Sequence, residues 1–208
     1  MDVTTELRWF GSGAVPEDAA DWFGVAEPYA GRIDWYASAG AAAGLGLKVR
    51  AGSSLELKAR RDEVGVWSFG ERASGLVQTW VKWAVPLDPG WDGRSLGQGW
   101  IAVEKRRRVR RFAIEPGPSD GSIAREVGAA DALELGCDAE LTDLRVDGSV
   151  WWTLAFESFG DPDGQRDALR ATIGAVLAGA PNDLALVETA SSAYPGWLAS
   201  FDEELPGS

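Results

Sequence analysis

Between Leu45 and Arg60 the side chains alternate in two matched runs: Leu45, Leu47, Val49, Leu55, Leu57 and Ala59 on odd positions, Lys48, Arg50, Glu56, Lys58 and Arg60 on even ones. A period of two belongs to a β-strand, because successive side chains leave opposite faces of the pleat. The intervening Ala51-Gly52-Ser53-Ser54 reads as a turn, so the stretch is expected to form a hairpin with one apolar and one charged face. An isolated charged face is ordinarily the solvated side of a sheet. Repetition of the pattern along the chain needs another explanation.

It does repeat. Val3 to Phe10 sets Thr4, Glu6 and Arg8 against Val3, Thr5, Leu7 and Trp9, and Leu76 to Trp83 sets Gln78, Trp80 and Lys82 against Val77, Thr79, Val81 and Trp83. Gly136 to Val146 alternates Asp138, Glu140 and Thr142 with Cys137, Ala139 and Leu141. Asp147-Gly148 then turns into Val150 to Glu157, whose apolar face is Trp152, Leu154 and Phe156 and whose other face is Thr153, Ala155 and Glu157. Residues 31 to 37 read as a further strand.

The densest charge, Glu104-Lys105-Arg106-Arg107-Arg108-Val109-Arg110-Arg111, follows Trp100-Ile101-Ala102-Val103. It is either a solvated edge strand guarded by charge or an anion site. Its parity allows two registers: with Ile101, Val103 and Val109 buried, Arg106, Arg108 and Arg110 join the charged face, whereas the opposite register offers Lys105 and Arg107.

Helical signals are fewer. Pro16-Glu17-Asp18 opens a short helix with Ala19, Trp22 and Phe23 as its apolar stripe. Asp161-Pro162-Asp163 caps a helix over about 164 to 178, in which Leu169, Ile173, Val176 and Leu177 keep helical spacing. Ser192 to Phe201 reads as a short amphipathic end piece, 122 to 133 as holding a turn or short helix, and 184 to 189 as a last strand. Residues 38 to 44, 86 to 99 and 116 to 121 read as loops, and the acidic tail, about 202 to 208, as loose.

Composition narrows the chemistry. The 208 residues contain no histidine and one cysteine, Cys137, which removes His-based nucleophile and acid/base systems, internal disulfides and Cys-cluster zinc sites. The net charge of -12 opposes nucleic acid as a partner. That charge is uneven: up to Phe112 there are 16 basic and 14 acidic residues, and from Ala113 onward 4 and 18. So acidic a second half, beside the local arginine cluster, offers a way for two copies to dock. The eleven tryptophans are read as packing residues. No apolar run reaches the roughly 18 residues of a membrane span, and the first residues carry no secretory pattern. A single domain over 1–208, without membrane contact and cytoplasmic, is expected.

At least six strands with a charged face are best reconciled by an α+β fold built on a closed antiparallel β-barrel, with the charges in its lumen and helices and aromatics outside. A lumen of Arg and Lys suits a phosphate-rich anion, and interspersed carboxylates suit Mg²⁺ or Mn²⁺ bridging protein and phosphate.

In this order the strands resemble the CYTH, or triphosphate tunnel, superfamily, which includes thiamine triphosphatase and class IV adenylate cyclase. The family's Glu-x-Glu-x-Lys strand is similar to Thr4-x-Glu6-x-Arg8, its basic pair and Thr-x-Lys strand to Lys48-x-Arg50 and Glu56-x-Lys58, and its later basic strand to 103–107. Its Glu-x-Glu strand is similar to Ala155-x-Glu157, and its closing Ser-Tyr to Ala193-Tyr194. The resemblance implies a charged tunnel in which Arg8, Lys48, Arg50, Lys58, Arg60, Lys82, Lys105, Arg106, Arg107 and Arg108 bind phosphates of a nucleotide, organic triphosphate or polyphosphate. Each glutamate pair that holds metal in the family has here lost one member, to Thr4 and to Ala155. The expectation is therefore an anion-binding tunnel with reduced or altered catalysis. One alternative is an active Mg²⁺- or Mn²⁺-dependent triphosphatase in which Glu6, Glu56, Glu140 and Glu157 form a substitute metal site. The other is a protein-interaction module whose charges are only a solvated surface.

Overall fold

The computed structural model describes residues 1–24, 30–38, 43–88, 96–118 and 121–203, the side chains of the last two excepted. Its strands are β1 (Asp2–Ser12), β2 (Arg32–Ala37), β3 (Leu45–Arg50), β4 (Ser54–Phe69), β5 (Ala73–Pro86), β6 (Trp100–Pro116), β7 (Ser122–Val127), β8 (Leu135–Val146) and β9 (Ser149–Gly160). Three helices accompany them: α1 (Glu17–Phe23), α2 (Gln165–Leu177) and α3 (Tyr194–Glu203).

The strands pair antiparallel in the order β2-β3-β4-β5-β1-β9-β8-β6, and β2 pairs with β6 to close an eight-stranded barrel; β7 is added outside, on β6. Closure leaves no free edge around the ring and separates the two faces of every strand into lumen and exterior. The predicted hairpins form in register, with Lys48 opposite Glu56 and Leu47 opposite Leu57. At the β8–β9 turn Asp147 and Gly148 both take positive φ, 47° and 77°, the twist that a two-residue hairpin requires.

Outside the barrel, the odd side chains of β1 and β8 and the even ones of β9 form the main core. Leu7, Trp9, Leu141, Leu154 and Phe156 meet Leu169, Ile173 and Val176 of α2 and Phe23 of α1. Inside, at one end, Phe10, Tyr36, Val103, Leu144 and Val146 form a second apolar cluster with Trp197 and Leu198 of α3. Trp197 stacks flat on Phe10 at 4.3 Å. The end piece expected to be amphipathic is thus a plug, which turns a tunnel into a blind cavity.

Two expected elements differ. Residues 122–127 are strand β7, because Ser122 to Val127 complete hydrogen bonding along the far part of β6, beyond the stretch that β2 covers, while β8 still pairs on its other edge as far as Ala113. Residues 184–189 give only one bridge, Leu186 to Ala73, and a short 3₁₀ turn at Glu188–Ala190. A solitary bridge there suffices to seat Leu184 and Leu186 in the outer core. β4 is also longer than the hairpin reading, with two bulges between Arg60 and Gly65 that re-aim its second half. Parts of the three expected loops (39–42, 89–95 and 119–120), and the tail from 204, lie outside the described residues. Among those described, no helix is long and apolar enough to cross a membrane.

Candidate functional site: a charged blind cavity

The lumen holds a cavity of about 850 Å³ lined by nine basic side chains and six carboxylates among the described residues. Cross-strand register explains how they converge. Even positions of β1 to β5 and of β8, and odd positions of β6 and β9, face inward, so charges scattered over 150 residues share one space. Continuous pairing of β6 with both β2 and β8 decides its register: Lys105, Arg107 and Arg111 line the cavity together with Val109.

Three of the enclosed carboxylates are each shared between two cations. Glu56 meets Lys48 at 3.1 Å and Arg50 at 3.3 Å. Glu140 meets Arg107 at 2.7 Å and Arg8 at 3.5 Å. Asp34, fully buried, meets Arg32 at 3.1 Å and Lys105 at 3.3 Å. Glu6 is bound one-to-one by Lys58 and accepts from Thr4 Oγ1 at 2.6 Å. The Arg111 guanidinium donates to both oxygens of Asp138 at 2.8 Å. Among the described residues Lys82 pairs only with the exposed Asp2, at 3.8 Å.

Glu157 is different. It stands directly opposite Glu6 on β1 and Asp138 on β8, and has no ion-pair partner among the described residues. Burial and the neighbouring Glu6 push its carboxyl above the usual range, against the pull of Lys58, Lys82 and Arg8. Glu140 moves the other way: Arg8, Arg107 and Lys105 outweigh burial and hold it down to about 2. At the floor, Lys105 donates to Tyr36 Oη at 2.6 Å and sits 3.7 Å from the centre of the Tyr194 ring. Burial drives its ammonium well below the ordinary lysine range, partly restrained by Asp34.

Arg8, Lys48, Arg50, Lys58, Lys82, Lys105 and Arg107 are therefore brought together, with Glu6, Glu56, Glu140 and Glu157. Three expected ligand residues are not. Arg60, just before the first bulge, turns to Glu63 at 2.9 Å. Arg106 and Arg108 have the outward parity of β6; Arg106 is exposed and Arg108 pairs with Asp143 at 2.9 Å. The cavity adds Arg32, Tyr36, Arg111, Asp138 and Tyr194, with Asp34 behind them. Arg32, Asp34 and Tyr36 alternate along β2, a signal present in the sequence but carried by only three positions.

A hard cation needs several oxygen ligands free to turn toward it. Among the described residues no three carboxylates converge on one point, and Glu6, Glu56 and Glu140 are already engaged by the chain's own cations. Glu6, Glu56 and Glu140 fit counter-ions better than a cage for Mg²⁺ or Mn²⁺, which leaves Glu157 as the one glutamate of the expected four without a cation partner among the described residues. A scan against protein-family models and a search of curated proteins find no match to this chain. The resemblance to the CYTH superfamily consequently rests on the residues and their order.

Proposed function

We propose that the protein binds a small molecule carrying several phosphate charges inside its barrel, as a divergent CYTH-like chain in which anion binding persists without efficient hydrolysis. The observation that carries this reading is the sharing of single carboxylates between two cations. In each of the Lys48–Glu56–Arg50 and Arg8–Glu140–Arg107 triads one positive charge is left over. Lys58 and Lys82 also stand directly opposite each other on β4 and β5, where like charges repel. Enclosing such groups costs stability rather than adding to it, since ion pairs taken out of water recover little of their desolvation cost. A surplus of positive charge, in a chain of net charge -12, is an arrangement that a bound anion neutralises.

The donor set supports binding. Isothermal titration with tripolyphosphate in EDTA and low salt is the test. One saturable site is expected, weakened at least tenfold in the Lys48→Ala, Lys58→Ala double variant. Wild-type protein that takes up no tripolyphosphate, nucleotide or other organic triphosphate, with or without Mg²⁺, would falsify the reading.

A further inference from the structure

A barrel that keeps its charges in the lumen must turn its apolar side chains outward, and there the fold supplies cover on one side only. Helix α2 lies over β1 and over β6 to β9. On the opposite side, the alternation of β3, β4 and β5 brings two complete apolar rows to the outer face: Leu45–Ala59–Val81 and Leu47–Leu57–Trp83, each running across three strands. Leu55 and Val85 stand opposite each other in the next row. These eight positions hold no polar or charged side chain. They are also bare: Leu45 is 45% exposed, Leu57 36%, Trp83 42% and Val85 60%. Val3, opposite Val81, carries the face on to β1, and Ile33, 43% exposed, carries it toward β2.

A solvated sheet face carries polar residues outward, so this wall is not built for water. With strands about 4.8 Å apart and outward side chains about 6.7 Å apart along each, it spans roughly 20 by 20 Å, or about 400 Å², an extent at which an exposed apolar patch is often functional. Such a patch, with a polar rim, is the core of a standard interface of about 800 Å² per partner. Charge selects what can sit there. Two copies of a chain of net charge -12 repel each other least through a neutral face, and this face is neutral. The docking that the sequence suggests, of the acidic second half against the arginines of β6, has little left to draw on. Arg107, Arg108, Arg110 and Arg111 are each closed on a carboxylate of their own chain.

We infer that the outer wall of β3, β4 and β5 is an interface between two copies of this chain, packed sheet on sheet about a two-fold axis. Sheets so packed lie about 10 Å apart with their strands about 30° out of line, and the side chains of the two faces interleave. Under a two-fold axis the same patch serves both copies, so an uncharged face needs no other surface as its complement. Trp83, with Leu57 opposite it in the central row, is the anchor. The contact is independent of what the lumen binds, since it uses the odd members of strands whose even members, Lys48, Glu56, Lys58 and Lys82, line the cavity.

Sedimentation equilibrium and light scattering between about 1 and 100 μM test this directly. Expected is twice the 22.2 kDa of one chain, with a melting temperature that rises with protein concentration. Leu57→Lys and Val85→Lys should each return the single-chain mass with cooperative unfolding retained, because both side chains are exposed within one chain. Val187→Lys, comparably exposed at 49% but outside the wall, should leave the mass doubled. Raising salt should not weaken the pairing, since screening reduces the repulsion between two chains of net charge -12 and spares the apolar contact. A single-chain mass over the whole range overturns the inference. So does a doubled mass that survives both lysine substitutions or dissolves in salt, either of which assigns the contact to another surface. A mass that keeps growing with concentration overturns the closed two-fold pair, and single chains that float with neutral phosphatidylcholine vesicles give the wall to lipid instead.

Discussion

Glu140 and Glu157 lie on neighbouring strands and face one cavity, yet their protons are held in opposite senses. Glu140 is held down to about 2 by two arginines and Lys105, so its contribution to stability is present above the unfolded value near 4.5 and disappears as pH falls toward 2. The melting temperature should therefore drop between about pH 4.5 and 2, by an amount equivalent to about 3 kcal/mol from this group. A Glu140→Gln variant measured by calorimetry should be less stable at pH 7 and show a shallower decline. Glu157 is raised by burial and by Glu6, so its ionisation opposes folding increasingly as pH climbs from 4.5 through its folded value. Glu157→Gln should be stabilising at pH 8 and neutral at pH 4. It should also tighten tripolyphosphate binding severalfold at pH 8, since a carboxylate facing the anion has been removed. Were Glu157 a metal ligand, the same change would weaken Mg²⁺-supported binding instead, and titration with and without Mg²⁺ tells the two apart. Side-chain direction was readable where alternation ran clean, as at Glu6, Arg8, Lys58 and Glu140, but not at Arg60, where the alternation runs into a bulge. At Arg106 and Arg108 it was not, because a run of adjacent basic residues has no parity of its own until β2 and β8 pair with the strand.

Among elements, α3 shows best how a short piece can decide the shape of a site. Its Tyr194, Trp197, Leu198 and Phe201 sit in or against the apolar cluster at one barrel end, and Trp197 also meets Trp151 and Phe201 edge-on at 5.6 and 5.0 Å. Trp197, only 6% exposed, should be among the costliest positions in the chain. Trp197→Ala is expected to lose about 3–5 kcal/mol in denaturant unfolding, the usual range for deleting a large buried aromatic. The loss of the plug should at the same time weaken tripolyphosphate binding, through Tyr194, which supports Arg8 at 4.8 Å and Lys105 at 3.7 Å. The amphipathic pattern of this segment was legible; that its apolar face would enter the barrel mouth rather than cover the outer wall was not. Both surfaces are apolar, and only closure of the ring creates the hole. β7 illustrates the converse, since its pairing depends on where β2 ends along β6.

Over the whole molecule the charge is sorted by sign and place: a chain of net charge -12 encloses a lumen in which basic groups outnumber acidic ones. Attraction of an anion to such a lumen is partly screened by salt, whereas the core of Leu7, Trp9, Leu154 and Phe156 is not. Raising salt from about 0.05 M to 0.5 M should weaken tripolyphosphate binding by about tenfold or more while leaving the unfolding midpoint nearly unchanged. Binding indifferent to salt would argue against an electrostatic lumen.

The amino-acid sequence alone determined the succession of the barrel strands, the hairpin at Asp147-Gly148, the outer helices and the fact that one face of most strands is charged, but neither β7 nor the lack of a strand at 184–189. These follow from period and turn chemistry, which act between residues close in the chain; the cap expected from Asp161-Pro162-Asp163 does not form, since α2 starts after Gly164 with no side-chain cap, and α1 has none either. Tertiary structure decided the register of β6, the plugging of one end by α3 and the pairing of Asp34 with Lys105. It also set the isolation of Glu157 between Glu6 and Asp138. Each of these depends on which strands become neighbours when the sheet closes, and ring closure joins residues far apart in sequence that carry no local record of one another.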